Sequence, residues 1–146
     1  MSSATLDLPV ISGARTGDPF SWAELYDRYQ PRLARFLVLT GASALAEDDS
    51  RLWAAAAESL KDEPIGIDPG VWLFRVARSL RDTEPGGVDL VNPLADLTDL
   101  DRDVIGLRVA GGLTETSVSE IIGRSVTRVQ SAGHNGLSTI LQTRSQ

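Results

Sequence analysis

Two Asp-Pro pairs, Asp18-Pro19 and Asp68-Pro69, each open a run of apolar residues that steps by three and four along the chain. Asp accepts from the free N–H groups of a first helical turn, and Pro at the first helical position forfeits no hydrogen bond, so each pair predicts a helix start. After the first, Phe20, Trp22, Leu25, Tyr26 and Tyr29 share a helical face; after the second, Val71, Trp72, Phe74, Val76, Ala77 and Leu80 do so. No strand-like alternation persists anywhere, and no internal repeat is visible. The pattern predicts an all-α chain.

Punctuation between the runs places the other elements. Residues 1–17 have no sustained period and read as a flexible N-terminal arm. Pro31 interrupts the first run, which predicts two helical pieces meeting near Gln30, with Leu33, Phe36 and Leu37 on the second and Gly41 closing it. Ser43 or Ala44 opens a helix striped by Leu45, Leu52, Trp53, Ala56 and Leu60. TEPGGVDLVNP, residues 83–93, combines Pro, Gly and Asp without a helical period. It reads as a linker at 84–93 between two small helical domains, 18–83 and 94–146. In the second, Asp99 or Asp101 caps a helix carrying Val104, Ile105, Leu107 and Val109, which Gly111-Gly112 stops. Thr116–Ile122, the turn Gly123-Arg124-Ser125 and a helix from Val126 to about Leu141 form a helix-turn-helix. Val126, Val129, Gly133, Leu137 and Ile140 make the stripe of that last helix.

Bulk properties narrow the function. No apolar run approaches the roughly 20 residues that span a bilayer, and the N-terminus has no basic-then-apolar leader. The chain has no Cys, which removes disulfides, thiolate metal sites and Cys nucleophiles and fits a reducing cytoplasm. No convergent Ser/His/Asp set, phosphate-cradling Gly loop or metal-ligand spacing stands out, so the chain reads as neither an enzyme nor a cofactor protein. Asp99, Asp101 and Asp103 lack the Gly and terminal Glu of a calcium loop and read as helix-start charges. Net charge is −6; residues 1–83 carry 9 Lys/Arg against 12 Asp/Glu, and residues 84–146 carry 5 against 8. Neither half has the basic balance usual in a duplex-binding domain. Trp22, Trp53 and Trp72 read as core aromatics in preference to recognition residues. The lone His134 reads as an exposed helix position.

FSWAELYDRYQPRLARFL, the AED at 46–48 and WLFRVARSL at 72–80 resemble the N-terminal helical domain of bacterial RNA polymerase sigma factors of the extracytoplasmic-function (ECF) group. GLTETSVSEIIGRSVTRVQSAGH, residues 112–134, resembles that group's C-terminal helix-turn-helix without a gap. The resemblance covers most of residues 17–141. It implies a non-catalytic transcription-initiation protein that binds RNA polymerase core and promoter DNA, with an anti-sigma or other regulatory protein as a further partner and no membrane role. It assigns polymerase docking to Glu47, Asp48, Arg51 and Leu52. Capture of the unpaired −10 strand falls to Arg75, Arg78, Ser79 and Arg81. Contact with the −35 duplex falls to Thr127, Arg128, Gln130, Ser131 and Asn135, where phosphate contacts hold register and side chains read base edges.

Several positions depart from the group. Lys or Arg is usual where this chain has Gln130, Ala132 and Asn135, and Gly133 and Gly136 sit inside the reading helix, each at about 1 kcal/mol relative to Ala. After Ala46-Glu47-Asp48 the group continues with two aliphatics, Gln and Glu, whereas here Asp49-Ser50-Arg51-Leu52 follow. Ser79 stands where Asn is common. An alternative therefore stays open: a degenerate sigma-like protein that has lost promoter binding and acts through protein contacts. Arg75, Arg78 and Arg81, at i, i+3 and i+6, are equally consistent with a solvated or ion-paired face.

Overall fold

A computed structural model describes residues 10–64, 66–83 and 94–144, and among them every regular element is helical. Residues 10–15 form α1. Then follow α2 (Pro19–Leu39), α3 (Ser43–Glu47), α4 (Ser50–Leu60), α5 (Pro69–Asp82), a 3₁₀ turn (Leu94–Asp96), α6 (Asp99–Ile105), a π-helical turn (Gly106–Ala110), α7 (Glu115–Ile122) and α8 (Val126–Arg144). The linker expected at 84–93 lies outside the described residues. Among these, no helix is long and apolar enough to cross a membrane.

Both Asp-Pro starts are helix caps. The Asp18 carboxylate accepts from the Phe20 N–H and that of Asp68 from the Val71 N–H. The break expected near Gln30 does not occur: α2 runs through Pro31 as one helix. Pro31 removes its bond to the Asp27 carbonyl, but Asp27 and Pro31 are both exposed, so the missing bond falls on the solvent side of the helix, where it costs least. Leu25, Tyr29, Leu33, Phe36 and Leu37 are buried on either side of it and hold the two turns in line. The helix expected from Ser43 onward instead divides into α3 and α4. Asp48 makes the corner, its Oδ1 accepting from the Ser50 N–H at 3.3 Å and the Ser50 hydroxyl at 2.7 Å.

The expected N-terminal arm is structured over its last residues. Val10, Ile11 and Ala14 are buried. Arg15 donates to the carbonyls of Leu60, Glu63 and Pro64 at 2.7–2.9 Å, closing the end of α4, and the Trp22 indole donates to Ala14 O at 3.0 Å. Trp22 packs edge-on between Trp53 and Trp72, with ring centroids 6.4 and 6.1 Å away, so the three tryptophans belong to the core.

Segments 18–83 and 94–144 contribute to one continuous hydrophobic cluster. Leu107, Leu113, Val118 and Ile121 pack with Phe36, Val71, Phe74 and Ala77. α7 lies against α5, and the π turn lies against α2. A Cβ on Gly106 would stand 2.7 Å from Thr40 Cγ2, so that turn rides directly on α2. Across the seam the Arg32 Nε–H donates to Gly111 O at 2.7 Å.

In the helix-turn-helix, Thr114 caps α7, Gly123 takes the left-handed conformation (φ +77°) that stops it, and the Ser125 hydroxyl accepts from the Arg128 N–H to start α8. The buried stripe of α8 is Val129, Ala132 and Gly136, with Gly133 and Ile140 half-buried; Val126 and Leu137, expected inside, are exposed. Small residues face α6 because the two helices approach closely: a Cβ on Gly136 would lie 2.7 Å from Ile105 Cγ1, whereas one on Gly133 would make an ordinary 3.6 Å contact with Val104. Gly133→Ala is therefore expected to stabilise the protein by about 0.5–1 kcal/mol through helix propensity. Gly136→Ala should fail to gain this, because overpacking of about 1–3 kcal/mol opposes it. Urea denaturation of both variants checks the pair; equal stabilisation would contradict the close approach.

Candidate nucleic-acid interface

The sites expected from the sequence separate into three environments. Thr127, Arg128, Gln130, Ser131 and Asn135 are all exposed along the outer side of α8, away from its contact with α6. That face is open to solvent, and among these five residues the one cation is Arg128. His134 is exposed as well.

At the corner of α3 and α4, Glu47, Asp48 and Arg51 are exposed, but Leu52 is a core residue at 1% exposure and presents nothing to a partner. It falls on the inward stripe with Ala56 and Leu60, at four-residue steps. The hydrogen bonds from Ser50 hold the Asp48 carboxyl below its ordinary pKa. Tyr26, half-exposed, donates to Asp49 Oδ2 at 2.8 Å, and that bond raises the pKa of its phenol. The corner is thus an exposed acidic surface beside an aromatic pair, with Tyr26 and Trp53 centroids 5.4 Å apart.

The four α5 residues do not form one open face. Ser79 is exposed. Arg75 lies 3.7 Å from Glu63. The Arg78 Nε–H donates to Asp103 Oδ2 at 2.9 Å, and Arg81 is inside the protein, its side chain 1% exposed, with Nη1 and Nη2 donating to the two Asp103 oxygens at 2.7 and 2.8 Å. Asp103 belongs to α6, so this pair crosses the seam. Reading Asp103 as a helix-start charge is corrected: Thr98 caps α6 and Asp99 and Asp101 supply its acidic first turn, while Asp103 points inward. Burial pushes the Asp103 carboxyl up, but the hydrogen bonds and charges of Arg81, Arg78 and Arg102 outweigh it and hold the carboxyl below its ordinary value. Burial likewise works against the Arg81 charge, and Asp103 and Asp82 together more than restore it. Sequence spacing placed the three arginines on one face but carried no signal for a counter-charge more than 20 residues away.

One surface was not anticipated. A cleft of about 790 Å³ runs between α2 and the π turn, lined by Arg32, Arg35, Val38, Leu39, Val109 and Ala110. A second, of about 480 Å³, lies between the π turn and α8, with Val109, Gln130, His134 and Leu137 on its wall. Val109 and Gly112 line both, so the two clefts adjoin at the π turn and together make a trough. Val38, Val109 and Leu137 stand 44, 67 and 50% exposed along it. Periodicity puts Val109 and Leu137 on helical stripes, and it leaves Val38 off the stripe of Leu33, Phe36 and Leu37 without assigning it a role.

Solved structures carry a close likeness in shape. CnrH, an ECF sigma factor solved in complex with the cytosolic domain of CnrY, superposes with a TM-score of 0.83 over 95% of this chain and 97% of its own, at 19% identity. The chain has a divergent ECF sigma-like fold. No family model matches the chain, and no curated protein does. The coverage takes in both helical segments, so their mutual placement is shared with CnrH as well as the helices within each. Among the described residues no cluster of His, Cys, Asp or Glu is arranged to hold a metal.

Proposed function

We propose that this chain is an ECF-type sigma-like regulator of transcription initiation: it binds a regulatory protein across the trough and engages RNA polymerase core and promoter DNA through its exposed surfaces. The observation that carries the reading is the trough itself, an open apolar surface spanning both segments of a sigma-like fold. Val38, Val109 and Leu137 stand exposed along it, which leaves apolar side chains on both segments open to a protein partner. The likeness to CnrH, solved with the CnrY cytosolic domain, supports an anti-sigma-like protein as the occupant. The exposed corner of Glu47, Asp48 and Arg51 is the surface offered to polymerase, and the outer face of α8 is the one offered to a −35 duplex.

Two measurements test the reading. Purified RNA polymerase core is expected to retain the full chain on a pull-down; failure to retain it removes the polymerase role. For duplex DNA, Arg128→Ala should lower the slope of log affinity against log salt by about 0.9, the value of one phosphate contact. A slope unchanged by the substitution would take α8 off the DNA.

A second reading keeps the protein partner and discards the promoter. It is favoured by the uncharged Gln130 and Asn135 on the exposed face of α8 and by the negative charge of both halves; Ala132 is buried against α6 and does not bear on it. Under it, trough binding persists while core and DNA binding are both absent.

A further inference from the structure

The N-terminal helix holds a turn that lies 45–49 residues further along the chain. α4 ends at Leu60, and its last carbonyls have no partner in a following helical turn. Arg15 reaches them from outside: Nη1 donates to Leu60 O at 2.7 Å, and Nη2 to Glu63 O and Pro64 O at 2.7 and 2.9 Å. One planar guanidinium thus fixes the backbone of the turn 61–64. Glu63 sits on that turn. Its side chain is 14% exposed, accepts from the Ser59 hydroxyl at 3.4 Å and stands 3.7 Å from Arg75. It forms part of the wall of a cleft of about 340 Å³ between α4 and α5, lined also by Ser59, Arg75, Ser79 and Thr83. Arg15 is not among the residues lining this cleft, and acts on it through the backbone of Glu63. What places Arg15 is the docking of α1. Val10, Ile11 and Ala14 are buried, the Trp22 indole donates to Ala14 O, and the Asp18 N–H donates to Gly13 O at 2.9 Å. A Cβ on Gly13 would stand 2.0 Å from Ser21 Oγ and 3.0 Å from Ser21 Cβ, so α1 lies directly on the start of α2.

We propose that α1 is a strap on the cleft between α4 and α5. Docked, it sets the turn 61–64, and Glu63 with it, through Arg15; undocked, it lets that turn open and the cleft lose this wall. The inference goes beyond the proposed function and does not depend on it. α1 is one short helix held by three apolar side chains, so it belongs to the part of the fold that opens at the lowest cost. A partner that takes up residues 10–15 therefore loosens the cleft. By linkage, a ligand that needs the closed cleft tightens the docking of α1 by the same factor.

Lys61 offers a direct readout, because it is the only Lys of the chain and its side chain stands 70% exposed on the turn. Endoproteinase Lys-C therefore has one bond to cut, and cuts it at a rate set by how often the backbone there opens. Two variants release the strap by different routes: Arg15→Ala removes the clamp, and Gly13→Leu displaces α1 with Arg15 intact. Arg124→Ala, at an exposed position before α8, controls for the lost charge. Both strap variants are expected to be cut about tenfold or more faster than the control under native conditions, with amide protection in α5 and α8 unchanged. Cutting within about twofold of the control overturns the proposal. So does faster cutting with an equal loss of protection in α5 and α8, because that reports global unfolding. Should a variant not fold, native-state hydrogen exchange of the wild type carries the test. The amides of Thr16 and Gly17 bond to carbonyls of α1, and those of Asp62 and Glu63 to Ser59 O and Leu60 O. The two pairs should open as one unit, at a free energy below that of α5. Turn amides that exchange only with α5, or that exchange while α1 stays protected, overturn the strap.

Discussion

Asp103→Ala is expected to destabilise the protein by about 3–5 kcal/mol, because it strands the Arg81 guanidinium inside the fold without its counter-charge. Arg81 and Asp103 are 1 and 3% exposed at their side chains, so water cannot replace the lost bonds without opening the seam. The comparison that separates a stranded charge from a lost attraction is Arg81→Met with Asp103→Leu. The double variant should cost less than Asp103→Ala alone, since it removes the desolvated charge along with its partner. Urea denaturation measures both, and a cost under about 1 kcal/mol for Asp103→Ala would contradict the buried pair. Acid supplies the same test without mutation. The folded-state pKa of Asp103 lies below its unfolded value near 3.8. Its contribution is therefore fully present above that value and is lost as pH falls through the folded pKa. Stability of the wild type should drop in that acid range by more than that of Asp103→Ala.

Phe74→Ala is expected to cost about 3–5 kcal/mol, the range for removing a fully buried aromatic ring and leaving a cavity. Phe74 is 0% exposed and meets Phe36 edge-on at 5.7 Å. It also lies under the seam: a Cβ on Gly111 would touch its ring at 3.1 Å, and the Arg32 guanidinium stands 5.8 Å from its centroid. The variant should lose amide protection in residues 104–113 as well as in α2 and α5. A loss confined to α2 and α5 would mean that the C-terminal helices do not rest on this ring.

Legibility in the sequence followed the range of the interaction. Features fixed within one turn were readable: the caps at Asp18 and Asp68, the stop at Gly123, and both helices of the helix-turn-helix. The caps depend on a side chain reaching a backbone group two or three residues away, and the stop on a left-handed backbone that glycine adopts without a Cβ clash. Pro31 misled because its local effect, a missing N–H, is small against the five buried residues that hold α2 straight. The α8 stripe misled for a related reason. Hydrophobicity pointed to Leu137, while the close approach of α6 selected Ala132 and Gly136 for size. Asp103 was least legible, since what makes it a core residue is Arg81 on another helix, and a lone Asp near a helix start has the same local pattern whether it faces water or a buried cation.

The site divided along the same line. The outer face of α8 could be named from the sequence because a helix-turn-helix exposes it by construction. The three α5 arginines could be placed on one face, but not paired with Glu63 and Asp103. The trough depends on where the π turn sits against α2 and α8, which nothing local determines.

The central claim is that the two helical segments form one closed body with a shared core. Small-angle X-ray scattering of the full chain tests it most directly. A single body of this length predicts a radius of gyration of about 15 Å and one maximum in the pair-distance distribution. A radius of about 20 Å or more with two maxima, as two tethered domains give, would contradict it.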